Sequence, residues 1–386
     1  MPGLPRSASR RAPWLAAAAG ALAAALIVAA GIVLWPRELT AVTGIVGSEK
    51  VAYFEDERVR ARFAELGYEV TVRARGSRVL AEDAEGADFV SPGSRHLAQR
   101  AEELNEGATV YQPFSTPMVL LGYESMVEAL ESAGVTRVAE DGTWSFDMQA
   151  YLDLTEERTR WRDLPGDSVS SSNRQEVLVR TTDPRTSNSA AMYAVVLSYL
   201  LNDEEVLRPG APDPGIVERV SRLFLSQGQP PESSQQPFEQ FRDLGAGHTP
   251  LVWVYEAQYV HAMLDGPALA GDARVLYPTP TVHSEHAVVA FSAPGNAVGR
   301  LLAEDGELQE LAAAHGFRTA SADAFGELVR ENGLSVRDRI TDVVHPPAYE
   351  ALEALLTSIE DTYGANGLPP ARDEADTGGA AGGGEA

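Results

Sequence analysis

The chain has 386 residues, 44% of them hydrophobic and 23% charged, which is enough for one large domain or two ordinary ones around a real core. Its formal net charge of -25 excludes the electrostatics of nucleic-acid binding and of polybasic docking on anionic lipid. Cysteine is absent, which removes disulfides, thiolate metal sites, cysteine nucleophiles and a lipid-bearing N-terminal cysteine.

Residues 1–13 contain Arg6, Arg10 and Arg11 and read as a basic cytoplasmic tail. Residues 14–35, WLAAAAGALAAALIVAAGIVLW, carry no charge and have tryptophan at both ends. As a helix this run spans about 33 Å, matching a hydrocarbon core of about 30 Å. With the arginines before it and an acidic body after it, the positive-inside rule keeps the N-terminus cytoplasmic and exports the rest. The prediction is an uncleaved single-pass anchor in the cell membrane. A cleaved signal peptide is the alternative, for which the apolar run is long.

An apolar strand over 41–46 leads into Gly47-Ser48-Glu49-Lys50, which holds the only lysine of the chain. Ser48 can cap the helix that follows, and Lys50 can add a point charge to an anion site at that helix start. The plainer reading makes Ser48 an ordinary cap and Lys50 a solvated lysine. A helix with Val59, Phe63 and Leu66 on one face stops at Gly67, and Tyr68, Val70, Val72 and Ala74 alternate as a strand. The turn Arg75-Gly76-Ser77-Arg78 follows. A strand over 87–90 then runs into Ser91-Pro92-Gly93-Ser94 and a helix with Leu97, Ala101 and Leu104. Strands separated by helices predict a parallel sheet in an α/β domain, with ligands outside the carboxyl ends of the strands. Ser77 and Ser91 are candidate hydroxyl donors there, with Arg75 or Arg78 as a fork donor.

A longer apolar strand, 114–121, contains Thr116, a further binding candidate. A strand over 176–180 feeds the loop Thr181-Thr182-Asp183-Pro184-Arg185-Thr186-Ser187-Asn188, and 189–201 is apolar on every side, as a buried helix is. Thr182, Asp183, Arg185, Ser187, Asn188 and Ser189 are the strongest binding candidates, since hydroxyls and amides can replace a hydration shell. The alternative is an Asp-Pro turn with a Ser/Asn cap. The strand 250–254 ends in Tyr255 and Glu256: the tyrosine can wall a cleft, and the glutamate can accept from a protonated ligand or pair with an arginine. An extended, proline-broken segment covers 275–291. Within it His283 and His286, three apart on a strand, face opposite sides and cannot share a metal ion, so both read as structural. Helices follow near 297–302, 307–315 and 349–363. Residues 366–386 are rich in Gly, Ala and acid, cannot bury a core, and are expected to be disordered.

Four segments in order, TGIVGSEK, the W-x-D-L at 161–164, TTDPRTSNSAAMY and LYPTPTVHSEHAVVAF with a later helix ending Gly316-Phe317-Arg318, carry a resemblance. The arrangement resembles the extracellular solute-binding proteins of the type II periplasmic-binding class over residues 38–330. The resemblance implies an α/β fold of two lobes joined by two crossing strands. Residues 38–116 and 280–365 are expected as lobe I and 117–279 as lobe II. The chain departs from the family in lacking a lipid-anchor cysteine and in carrying an apolar N-terminal span.

The function expected is that of a membrane-anchored extracellular binder closing on a small-molecule or inorganic anion for uptake. Its partner would be a membrane permease or neighbouring membrane protein, and Ser48 and Lys50 would face Thr182, Ser187 and Ser189 across the cleft. An anchored sensor or assembly subunit with the same fold is the alternative. There is no G-x-S-x-G elbow and no P-loop. A Ser–Lys dyad using Lys50 is the one catalytic arrangement to weigh. No catalysis, cofactor or metal is expected.

Overall fold

The computed structural model describes residues 38–365 except 81–83, 85, 167, 232 and 321. The segments 1–13, 14–35 and 366–386 lie outside the described residues. Among the described residues no helix is long and apolar enough to cross a membrane.

The chain opens with β1 (Thr40–Val46), a 3-10 turn at Ser48–Lys50, α1 (Val51–Glu55), α2 (Glu57–Glu65), β2 (Tyr68–Ala74), α3 (Ser77–Leu80), β3 (Phe89–Ser91) and α4 (Arg95–Leu104). Next come β4 (Thr109–Tyr123), α5 (Glu124–Ser132), β5 (Thr136–Val138), β6 (Trp144–Asp147), α6 (Met148–Glu156), a 3-10 turn at Trp161–Asp163 and α7 (Ser168–Ser172). The rest is α8 (Asn188–Leu201), α9 (Pro214–Leu225), α10 (Gln235–Leu244), β7 (Leu251–Tyr255), α11 (Glu256–Leu264), β8 (Ala273–Thr279), β9 (His283–Ala290), α12 (Ala293–Glu304), α13 (Gly306–Ala314), β10 (Arg318–Thr319), α14 (Ala322–Glu331) and α15 (Tyr349–Ala365).

Local chemistry fixes several of these ends. Asp56 caps α2 by accepting from the Arg58 N–H at 2.7 Å, and Asp147 caps α6 through Gln149 and Ala150. Ser292 accepts from the Gly295 N–H ahead of α12, whose first turn holds a proline. α2 buries Val59 and Phe63 as its spacing requires, while Leu104 at the end of α4 stays exposed.

The strand order is β2-β1-β3-β9-β4-β8-β6-β5. β1 and β3 pair in parallel, and β9 runs antiparallel to β3. β4 is the strand that both lobes share. Its first part, Thr109 to Pro117, lies antiparallel to β9, and β10 pairs with Phe114 and Ser115. Its second part pairs with β7 from Met118 to Gly122 and with β8 from Leu120 to Tyr123. β6 is parallel to β8, and β5 closes that group. Two α/β lobes follow from this pairing. α15 packs on α9 and α8 of the second lobe and on α4 of the first, so the segment expected in lobe I ends on a helix that touches both.

The strand predicted over 176–180 is not formed. Only isolated bridges occur there, Arg160 with Glu176 and Arg180 with Val252. Val177 and Val179 are buried nonetheless, and alternate burial of an extended segment leaves the same apolar pattern whether or not a continuous ladder forms. α8 is buried on nearly all sides, as its composition predicts, and the Trp253 indole N–H donates to Ser189 O at 3.1 Å.

Candidate functional site

The strand-end loops of the two lobes meet directly. In the first lobe β3 ends at Ser91, and Pro92-Gly93-Ser94 leads into α4. In the second, the loop after Arg180 leads into α8, and β7 ends at Tyr255 against α11. The Asn188 side chain joins them: its Nδ2 lies 3.1 Å from Gly93 O, 3.1 Å from Ser284 Oγ and 3.3 Å from Tyr255 OH. Two amide hydrogens serve two of these three at a time. Ser284 also donates to Gly93 O.

Glycine is needed where the loops touch. A Cβ on Gly93 would lie 2.8 Å from Asn188 Nδ2, and one on Gly76 would lie 2.7 Å from Thr186 O. Arg78 fastens the same contact through its backbone N–H to Thr186 O and its guanidinium to Pro184 O and Arg185 O.

Lys50 is fully buried beside this contact. Its ammonium is bonded to the Glu49 carboxylate and lies 3.0 Å from His286 Nδ1. Burial opposes the Glu49 charge, but Lys50 and His286 outweigh it and hold the carboxyl well below the usual range. Burial first, and the Lys50 charge second, lower the His286 pKa to about 4, so the imidazole is neutral. Nδ1 of that neutral ring also lies 3.4 Å from Glu49 Oε1, so it either accepts from Lys50, which leaves the hydrogen on Nε2, or donates to Glu49. The His286 ring centroid is 5.5 Å from that of Tyr255, whose hydroxyl burial keeps protonated. A chain of contacts therefore runs from Glu49 and Lys50 through His286 and Tyr255 to Asn188.

Among the described residues, four buried polar atoms in and around this cluster have no hydrogen-bond partner: Asn188 Oδ1, Ser189 Oγ, Thr186 Oγ1 and His286 Nε2. A native interior satisfies nearly all such atoms, which makes their gathering at the lobe junction the feature to explain. α8 starts here without a side-chain cap, because the Ser187 hydroxyl is taken up by Thr182 Oγ1 at 2.8 Å. Its first N–H groups add to the donors of the junction.

The candidates from the sequence fall into two sets. Ser77 and Ser91 brace the first-lobe side: Ser77 Oγ accepts from the Gly93 N–H and Ser91 Oγ donates to Ala287 O at 2.8 Å. With Thr182, Ser187, Asn188, Ser189 and Tyr255 they lie in or next to the junction.

The other set is engaged elsewhere. The expectation that Ser48 and Lys50 face Thr182, Ser187 and Ser189 is corrected: Ser48 Oγ pairs with Ser234 Oγ at 3.0 Å, and Lys50 pairs with Glu49 and His286. A buried ammonium requires a buried counter-charge, which decides its direction. Lys50 is not a solvated lysine, and without a bond to Ser48 it forms no Ser–Lys dyad. Asp183 and Arg185 satisfy one another, with the guanidinium over the Tyr363 ring. Thr116 Oγ1 accepts from the Ala257 N–H at the start of α11. Glu256 is fully buried against Arg318 at 2.7 Å and Tyr277 OH at 2.6 Å, a structural pair.

Glu49 and His286 belong to the cluster and are not among the residues the sequence singled out. The alternation of β9 held the signal for His286, since it places Ser284 and His286 on one face and His283 on the other. Among the described residues no group of His, Asp or Glu is placed to hold a metal ion.

No protein-family model and no curated protein matches the sequence. Solved structures do match in fold. The sulfate-binding protein SubI from Mycobacterium tuberculosis H37Rv is 14% identical, with a TM-score of 0.50 over 84% of this chain and 99% of its own. Iron-bound HitA from Pseudomonas aeruginosa is 11% identical, with a TM-score of 0.47 over 83% and 99%. The periplasmic molybdate-binding protein of Azotobacter vinelandii is 12% identical, with a TM-score of 0.44 over 72% and 98%. The shared strand, the paired α/β lobes and the likeness to SubI together identify the fold as that of the type II periplasmic-binding proteins.

Proposed function

We propose that this protein is a solute-binding protein that closes its two lobes on a small anionic solute. In this reading residues 14–35 anchor it in the cell membrane, the body is extracellular, and the solute passes to a membrane permease or a neighbouring membrane protein. The observation that carries the binding role is the set of buried, unpartnered atoms at Asn188, Ser189, Thr186 and His286, where loops of both lobes touch. The fold shared with SubI leaves the ligand open, so the side chains of this chain must decide it. Glu49 cancels the charge of Lys50, and the remaining donors are hydroxyls and the start of α8, beside a neutral imidazole. Such neutral donors suit an oxyanion whose charge is spread over several acceptor atoms. Asn188 Oδ1, which can only accept, suits one that still carries a proton. Ser48 and Lys50 are engaged by other partners, which supports a holding role for the cluster.

A thermal-shift panel of phosphate, sulfate, molybdate, amino acids and sugars tests this. A ligand at 100 times its dissociation constant adds about 2.7 kcal/mol of stability and raises the melting temperature. Phosphate at mildly acidic pH is expected to lead, and Ser189→Ala to weaken its binding about tenfold. A panel in which no oxyanion shifts the melting temperature overturns the anion reading. N-terminal sequencing of the native protein tests the anchor, since a mature chain starting near residue 36 removes it.

A further inference from the structure

The second lobe has another opening, at the start of β7 instead of its end. A cavity of about 630 Å³ is lined there by Arg160, Arg174, Arg180 and His248, with Glu176 as the one acidic residue. β7 is five residues long, so this cavity lies about 13 Å along the strand from Tyr255 and the lobe junction.

Three features set this cavity apart in a chain whose net charge is -25. Among the described residues none of the three arginines has an ion-pair partner, although most other arginines do. Three guanidinium groups outnumber the one carboxylate, so the cavity is locally positive. Arg180 is half-buried, bonded to the carbonyls of Gln227 and Gln229, and its buried Nε has no partner among the described residues. Burial lowers its pKa with no carboxylate to offset the cost. An uncompensated guanidinium held this way is ordinarily matched by an anion.

We propose that this cavity is a second anion site, separate from the lobe junction, that takes a multiply charged oxyanion larger than a bare sulfate or phosphate. The arginine forks supply bidentate recognition of phosphate or carboxylate oxygens. The volume falls in the range of small-molecule sites and exceeds what a single tetrahedral ion fills. A polyphosphate and a polycarboxylate share this chemistry, and the test separates them. The backbone also ties the site to the junction: Arg180 precedes the loop into α8, and the Gln227 side chain on the cavity wall accepts from the Thr181 N–H at 2.9 Å.

The test is calorimetric titration of the full-length protein with inorganic pyrophosphate and, separately, with citrate, at fixed ionic strength. One saturable site is expected for at least one of them, and the tighter of the two names the class. Arg160→Gln with Arg174→Gln should weaken that binding about tenfold or more, and Arg174→Gln alone about threefold. Both side chains are exposed, so the melting temperature without anion should not change. Ser189→Ala, at the junction, should leave pyrophosphate and citrate affinity as it is. The proposal fails if neither anion saturates a site, if the double variant binds as tightly as the parent, or if Ser189→Ala removes the binding and so places it at the junction.

Discussion

Replacing Gly76 with alanine separates lobe closure from folding. The added Cβ would lie 2.7 Å from Thr186 O and 3.2 Å from Thr186 Cβ. Ordinary contact begins near 3.4 Å, so the facing loop must retreat by about 0.7 Å. The backbone carbonyl cannot swing aside as a flexible side chain would, because the Arg78 N–H holds it at 3.2 Å. Overpacking of this kind costs about 1–3 kcal/mol, and the cost falls only on the state in which the loops touch. At 1.4 kcal/mol per decade, ligand affinity should drop roughly 5- to 150-fold. Gly76 does not have a left-handed φ, so alanine adds no backbone strain, and ligand-free stability should hold. Calorimetry with the oxyanion found by the thermal-shift panel, set beside urea unfolding without ligand, reads both quantities. Affinity unchanged within twofold would refute the idea that the loops meet in the bound state. An equal loss of ligand-free stability would make the contact a fixed part of the fold.

Lys50→Met should lower stability by about 3–5 kcal/mol in urea unfolding, because it leaves Glu49 buried and unpaired. Adding Glu49→Gln should recover most of that loss, and a double variant as unstable as the single would sink the ion-pair account. Stability should also fall as pH drops from about 6.5 to 4. His286 has a folded pKa of about 4 against an unfolded value near 6.5, so the unfolded chain takes up the proton first. The His286 share is full above pH 6.5 and amounts to up to about 3 kcal/mol lost by pH 4. His96, His261 and His283 are also lowered to about 4, so His286→Gln should reduce the slope of the unfolding midpoint against pH by one histidine's share, and an unaltered slope would count against it.

The loops of the candidate site were legible in the sequence because their punctuation is local. Gly, Ser, Pro and Asn after an apolar run mark a strand end wherever the strand finally pairs. So the loop at Ser91 could be placed at a strand end without knowing the fold, and the loop at Asn188 at a helix start. Partner choice was not legible. Lys50 in a Gly-Ser turn looks solvated or ligand-facing until His286, 236 positions away, is brought to it. Asp183 and Arg185 each looked free for a ligand, yet two positions apart in a tight turn they bond to each other. The extent of β4 was also hidden, since its first residues lack clean alternation: Thr109, Val110 and Tyr111 pair only because β9 lies beside them, and the register shifts before Phe114.

The shared strand β4 and its neighbours have a consequence for how the molecule is made. β3 ends at residue 91, yet it pairs with Val289 and Ala290 of β9. The first lobe thus lacks its inner strand until about 200 further residues have been synthesised. At 5–20 residues per second that interval is roughly 10–40 s, during which Phe89 and Val90 have no β9 to pair with. The second lobe, whose strands β5 to β8 are complete by residue 279, can assemble on the far half of β4 first. Chain order therefore makes every strand that pairs with the far half of β4 available before β9, the partner of its near half.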